Sequence, residues 1–318
     1  MPGLLLWLLA CDVRLPDADF VAEMEVVTVV ADPPTAYPLE TLEVTAWVAD
    51  AYQRGADVMI WPCTPIELGA RMRCAEGVDI AGDGIPLSYW VHQATVEEHH
   101  ATVRMVTPFL PYTLFAEETV GRQREEGLLM PVLVLACDPG VCEVFDWVAA
   151  DPAPGTEAYA RAARALADPT QLALQAEQEQ MSLAVKLVQV IEPGSPRRTN
   201  PELDVRARRG LPNVAGFEWF VDVIRGDDDV PGTVPEPYSP YYPTTTGTDD
   251  EPSGGQGSGV MSVRIGYTAG HLLDRTFDGS ELSLTWQGEY ERAGVMVIGL
   301  SDGQGGSAGV AVELPVIP

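Results

Sequence analysis

Apolar and polar side chains alternate along Thr41-Leu42-Glu43-Val44-Thr45-Ala46-Trp47-Val48, placing Leu42, Val44, Ala46 and Val48 on one face of an extended chain. A period of two is the signature of a strand with one buried face, whereas a helix would scatter those four residues around its circumference. Apolar stretches of strand length recur at Glu23–Val30, Val58–Trp61, Thr102–Val106, Pro131–Ala136 and Leu183–Ile191. Turn-forming residues such as Asp32-Pro33-Pro34 punctuate them. Many short strands closed by Pro and Gly turns indicate a mainly β sandwich rather than a βαβ fold.

One stretch departs from this pattern. Pro154 to Gln180 is rich in Ala, Leu, Gln, Glu and Arg, and its apolar residues Ala158, Ala162, Ala165 and Leu166 recur near helical spacing. Asp168-Pro169 divides it, so two helices inserted over about 154–180 are expected on the sandwich. A turn-rich connector at 192–202 then separates a first domain (21–192) from a second (193–318). Second-domain strands are expected near Leu203–Ala207, Gly216–Ile224, Met261–Thr268, Glu281–Trp286, Gly294–Leu300 and Gly309–Leu314. Residues 226–259 hold almost no aliphatics, and such a segment cannot bury enough apolar area to offset its ordering entropy. A disordered acidic loop is expected there, with Tyr238, Tyr241 and Tyr242 its only packing residues.

Charge excludes one class of partner. The 318 residues carry 47 acidic against 19 basic side chains, a formal net charge of −28, and a single lysine, Lys186. The densest basic group (Arg197, Arg198, Arg206, Arg208, Arg209) is too scattered to neutralise a phosphate backbone, so nucleic acid is not an expected partner. An anionic membrane surface would repel the body as well, which leaves a covalent lipid as the means of attachment.

The run Leu4-Leu5-Leu6-Trp7-Leu8-Leu9-Ala10-Cys11 resembles a bacterial lipoprotein signal, with Leu8-Leu9-Ala10-Cys11 as its lipobox. The resemblance implies a signal peptide over 1–10 and cleavage before Cys11. Its thiol and new amino group would then be acylated, with palmitate among the chains, and 11–20 would form a tether. The n-region Met1-Pro2-Gly3 lacks the basic residue usual in that family. With Cys11 assigned to lipid, Cys63, Cys74, Cys137 and Cys142 form an even set suited to two disulfides in an oxidising compartment. Pairs closing short local loops, Cys63–Cys74 and Cys137–Cys142, are expected; the spacings do not match close-set zinc knuckles.

Near the C-terminus, Glu291-Arg292-Ala293-Gly294-Val295-Met296-Val297-Ile298-Gly299-Leu300-Ser301-Asp302-Gly303-Gln304-Gly305-Gly306 is similar to the last hairpin of PKD and related immunoglobulin-like domains. Asp-Gly and Gly-Gly supply the positive φ angles that such a hairpin needs. The lipobox, Ala31-Asp32-Pro33-Pro34 with Trp61-Pro62-Cys63, and Asn200-Pro201-Glu202-Leu203 together resemble predicted cell-surface lipoproteins of the myxobacterial type. That family implies immunoglobulin-like β-sandwiches at the outer membrane or cell surface, and with the residue pattern the expectation is two in tandem, the first carrying the helical insertion. Asp12, next to the lipidated position, is in enteric bacteria an inner-membrane retention signal.

Candidate chemistry is sparse. Gly305-Gly306-Ser307-Ala308-Gly309 matches G-x-S-x-G, but a nucleophile elbow needs a strand before and a helix after the serine. Here the strand Val310–Leu314 follows, so a hairpin turn accounts for the glycines and a serine hydrolase is the weakest reading. Glu97, Glu98, His99 and His100, with His92 nearby, could supply metal ligands, or form an exposed turn. Glu76, Asp79 and Asp83 around Gly82 and Gly84 could supply oxygens for calcium, but lack the bidentate twelfth-position Glu of an EF-hand loop. The clusters Asp227–Asp229 and Asp249–Glu251 read as solvated charge. Trp47, Trp61, Trp90, Trp147, Trp219 and Trp286 sit in strand-like or apolar runs, where core packing outweighs glycan stacking. The expectation is a non-enzymatic envelope module with no catalytic set, resident metal or cofactor, meeting the membrane through its lipid and an envelope protein or glycan. The rival is an accessory protein that binds a ligand or a metal such as calcium.

Overall fold

The computed structural model describes residues 19–63, 65–67, 73–74, 86–107, 128–168, 172, 181–191, 193–194, 197–211, 215–224, 261–288, 292–302 and 305–316. Cys11, the expected calcium loop at 76–84 and the expected acidic loop at 226–259 lie outside the described residues. The fold is mainly β. In the first half the strands are β1 (Met24–Asp32), β2 (Thr35–Ala36), β3 (Thr41–Asp50), β4 (Asp57–Pro62), β5 (Pro65–Glu67), β6 (Arg73–Cys74), β7 (His92–Thr95), β8 (His100–Val106), β9 (Leu128–Cys137) and β10 (Met181–Val190). Helices α1 (Glu143–Ala149) and α2 (Glu157–Ala167) lie between β9 and β10. The second half contributes β11 (Glu202–Gly210), β12 (Gly216–Ile224), β13 (Ser262–Tyr267), β14 (His271–Phe277), β15 (Glu281–Gln287), β16 (Gly294–Ser301) and β17 (Ser307–Leu314).

Four of the five described sheets stack in order, the fifth being the two-stranded β5–β6 pair. A five-stranded sheet (β2-β10-β9-β4-β7) faces a three-stranded one (β1-β3-β8) across a core that includes Leu42, Val44, Ile60, Val132, Val134 and Val188. A second three-stranded sheet (β13-β16-β17) faces a four-stranded one (β11-β12-β15-β14) across Trp219, Leu284, Trp286, Met296 and Ile298. These two sandwich-like pairs also meet through their backs: Val21, Val27 and Ala49 form one cluster with Val295 and Val297. The halves that succeed one another in sequence are therefore packed sheet against sheet.

Two strands display this layering in their composition. A strand covered on both faces has no polar side to keep, so it reads as an unbroken apolar run. In β9, Val132, Val134 and Ala136 point into the inner core while Leu133, Leu135 and Cys137 point outward. Val144 and Val148 of α1 and Tyr159, Ala162 and Leu166 of α2 cover that outer face. In β16, Met296 and Ile298 face the four-stranded sheet while Val295 and Val297 face the first half.

Helix α2 falls inside the stretch read as helical. The Thr156 hydroxyl caps it by accepting from the Tyr159 N–H at 3.2 Å, and it ends at Asp168, before Pro169. Leu172 beyond it is buried, and the remainder of the second expected helix lies outside the described residues. Helix α1 has no counterpart in the sequence reading, because seven residues with Val144 and Val148 as their only buried positions give too brief a period. Edge strand β14 leaves no clear pattern in the sequence for a related reason: it is largely exposed and a bulge at Leu272/Asp274 breaks its alternation.

The structure joins Cys63 to Cys74 and Cys137 to Cys142. Antiparallel pairing of β4 with β9 sets Asp57 opposite Cys137 and Pro62 opposite Val132, so Cys63 and Cys137 lie at opposite ends of that pair.

Candidate functional site

Ser307 opens β17 in the cleft between the two halves, and it is 3% exposed. Its hydroxyl donates to the Val29 carbonyl of β1 at 2.9 Å and accepts from Lys186 Nζ of β10 at 2.8 Å. The same ammonium donates to the Gly305 carbonyl at 2.6 Å. Asn200, from the connector, accepts from the Ser307 N–H at 3.0 Å and donates through Nδ2 to the Ala31 carbonyl at 2.8 Å. Three side chains from distant segments thus satisfy backbone groups of both halves at one buried node. Burial pulls the Lys186 pKa down to about 8, with the Asp302 carboxylate opposing the shift. At neutral pH Lys186 is mostly protonated and donates to Ser307 Oγ, whose own proton is directed at the Val29 carbonyl. No helix follows Ser307, and the wiring suits a joint rather than a nucleophile elbow.

Further ties join the halves and the connector away from the node. The segment before β1 is held against β13, with Val21 N–H donating to Tyr267 O at 2.8 Å and Tyr267 N–H to Asp19 O at 3.0 Å. Asp19 and Phe20, the last residues of the expected tether, are therefore part of the folded body. Arg275 pairs with Asp19 at 2.9 Å, and Arg264 with Glu25. In the connector, Arg197 pairs with Glu40 at 2.7 Å and lies over the Tyr37 ring.

Three glycines let the backs of the sheets approach. A Cβ on Gly266 would stand 2.6 Å from Val27 Cγ2, and one on Gly299 2.5 Å from Thr28 Cβ. A Cβ on Gly309 would run into the Trp47 indole. Gly299 and Gly309 are cross-strand partners, so together they form a bare patch under Thr28 and Trp47.

Glu97–His100 is a tight turn joining β7 to β8. Glu97 and His100 exchange backbone hydrogen bonds at 2.9 and 3.0 Å, and Glu98 (φ 48°) and His99 (φ 70°) both occupy the left-handed region. Consecutive positive φ angles are the geometry of a type I′ turn, usually given to Asn-Gly. The His100 ring packs on Trp47 at 5.0 Å and its Nδ1 lies 3.3 Å from Glu98 O. Burial holds the imidazoles of His92 and His99 below their ordinary pKa. Among the described residues no three His, Cys, Asp or Glu side chains converge as a metal site. Each left-handed non-glycine residue costs about 1 kcal/mol. Glu98→Asn with His99→Gly is therefore expected to raise stability by about 1 kcal/mol, read from chemical denaturation. An unchanged midpoint would mean the turn carries no such cost.

Of the tryptophans, Trp219 and Trp286 are fully buried, and Trp286 Nε1 donates to the Ala269 carbonyl at 2.8 Å. Trp61 is buried beneath α2, with Nε1 3.3 Å from Leu166 O. Trp47, Trp90 and Trp147 are partly buried. Two hollows border the helical layer. One of about 490 Å³ is lined by Ser88, His92, Gln93, Arg104 and Asp151 among others, and Asp151 takes a φ of 39°. The second, of about 450 Å³, lies between α1 and α2.

No protein-family model matches the chain, and no curated protein does. Among solved structures, dimeric latent PorU from Porphyromonas gingivalis is similar at 8% identity, with a TM-score of 0.25 over 93% of this chain and 24% of that one. Red sea bream transglutaminase is similar at 10% identity, with a TM-score of 0.25 over 92% of this chain and 31% of that one. The chain thus spans a third or less of either protein, and likeness at this level carries neither fold nor activity across.

Proposed function

We propose that the chain is an extracytoplasmic lipoprotein anchored through Cys11, a non-enzymatic binding or structural module of the bacterial cell envelope. In this reading its body is two immunoglobulin-like, PKD-like sandwiches with a helical insertion in the first. The observation that carries it is the pair of disulfides, Cys63–Cys74 and Cys137–Cys142, a linkage that persists outside the reducing cytosol. Docking of Asp19 and Val21 onto β13 adds a spatial consequence. Only the chain from Cys11 to Asp19 would separate the lipid from the body, a reach of at most about 28 Å. The module would then ride close to its membrane, its two halves held together by the Lys186–Ser307–Asn200 node.

Membrane fractionation with fatty-acid labelling, wild type against Cys11→Ala, tests the anchor. Label and membrane association are both expected in the wild type and lost in the variant. An unlabelled, cytosolic wild type would remove the anchor and the envelope role together. The rival reading, a ligand-binding accessory protein, draws support from the hollow between the helices.

A further inference from the structure

We infer that the cavity between α1 and α2 is a binding site for a small amphiphile with an apolar body and one carboxylate head. This gives the binding reading a ligand class, and it does not depend on the lipid anchor. The cavity, about 450 Å³, is of the size that small-molecule sites occupy. Its apolar lining includes Val144 and Trp147 of α1, Leu172, and Met181 at the start of β10, beside the Cys142 end of a disulfide. That covalent loop and the five-stranded sheet below fix the walls independently of any ligand, which limits the ordering cost of binding.

The cavity's cations set the head group. Arg161 and Arg164, three residues apart on α2, both border it. Residues three apart on a helix share a face, so one anion can meet two guanidiniums. Elsewhere Arg54, Arg104, Arg197, Arg206, Arg209, Arg264 and Arg275 each have a carboxylate in ion-pair range. Among the described residues none pairs with Arg161 or Arg164. In a chain with 47 acidic and 19 basic residues, two arginines that pair with no described carboxylate give this hollow a local positive charge. Arg161 lies 5.9 Å from the Trp147 ring centroid, a cation–π contact that steadies it over the lining. Two carboxylates also border the cavity: Asp168, which is engaged in an interaction of its own, and Glu143, exposed on the first turn of α1. Glu143 opposes an anionic head, so its removal should tighten binding.

The test uses laurate, followed by displacement of the anionic dye 8-anilinonaphthalene-1-sulfonate from the folded chain, with dodecanol as the neutral comparison. Expected are single-site dye binding, displacement by laurate, and roughly tenfold weaker competition by dodecanol, the scale of one lost charge-assisted contact. Arg161→Gln with Arg164→Gln should weaken laurate by roughly tenfold or more, while Glu143→Gln strengthens it. Ala165→Trp, which fills the hollow from α2, should abolish dye and laurate binding alike. Near-UV circular dichroism confirms that each variant is folded, so dye bound to an unfolded chain is not counted. Equal competition by dodecanol, wild-type affinity in the double arginine variant, or undiminished binding in folded Ala165→Trp would each overturn the inference. Because the readout is equilibrium binding, its failure is distinct from failure of the fractionation experiment.

Discussion

Gly309→Val is expected to destabilise the protein by about 3 kcal/mol, the upper range for forcing extra carbon into a packed contact. The added Cβ meets the Trp47 indole, a rigid ring already wedged against His100. Opposite Gly309 on β16, Gly299 is pressed by Thr28, so the sheet cannot slide sideways to make room. Either Trp47 swings outward or the backs of the two sheets separate, and both expose apolar surface around Val27, Ala49 and Val297. Gly210→Val is the control, since a Cβ there meets nothing within 4 Å, and it should change stability little. A double-mutant cycle with Trp47→Ala identifies the mechanism. If the indole is the obstacle, Gly309→Val should cost far less in the Trp47→Ala background. An equal cost in both backgrounds would mean that the glycine serves its own strand and not the contact between sheets.

The second large effect is a pH dependence that belongs to one side chain. Burial lowers the Lys186 pKa to about 8 from its ordinary 10.5. Between these values the unfolded chain holds a proton that the folded chain has released, so stability rises with pH across that window. Below about pH 8 both states are protonated and the cost of burying the charge is complete. Above about pH 10.5 both are neutral and the cost is gone. The neutral amine still has two hydrogens for Gly305 O and Ser307 Oγ, so relief of the charge need not open the joint. Relative to Lys186→Met, the wild type should gain about 2–3 kcal/mol of unfolding free energy between pH 7 and pH 10. Tyrosine titration and the rise in net negative charge are common to both proteins and cancel in the difference. Parallel stability curves would show that Lys186 is not buried as a charge. Since Lys186 is the only lysine, the proton can be assigned without ambiguity.

How much of this was legible beforehand differs from element to element. β12 and the first half of β3 announce themselves because there one face lies in a core and the two-residue period is kept. β9 and β16 were recognisable as strands, and their unbroken apolar runs carried a further message, that both faces are covered. That signal could have foretold a layer outside each sandwich, although not which layer. Helix α1 and strand β14 were hidden because a seven-residue helix and a bulged edge strand each give too little period to count.

The node and the cavity had no comparable trace. Ser307 stands in a G-x-S-x-G run whose glycines the sequence assigns to a hairpin turn, and only its distant neighbours direct its hydroxyl to Val29 O and Lys186. Lys186 lies 121 residues from Ser307 and Asn200 lies 107, and no spacing rule connects residues so far apart. Arg161 and Arg164 border a cavity only because α1 and the Cys137–Cys142 loop lie against α2. By itself the sequence determined what depends on neighbours a few residues away: strand period, turn chemistry, the α2 cap and the overall charge. Only the tertiary structure decided which faces meet, that the two halves pack back to back over bare glycines, and which polar groups share a buried site. Those outcomes arise from surfaces brought together by the whole chain, and local energetics do not encode them.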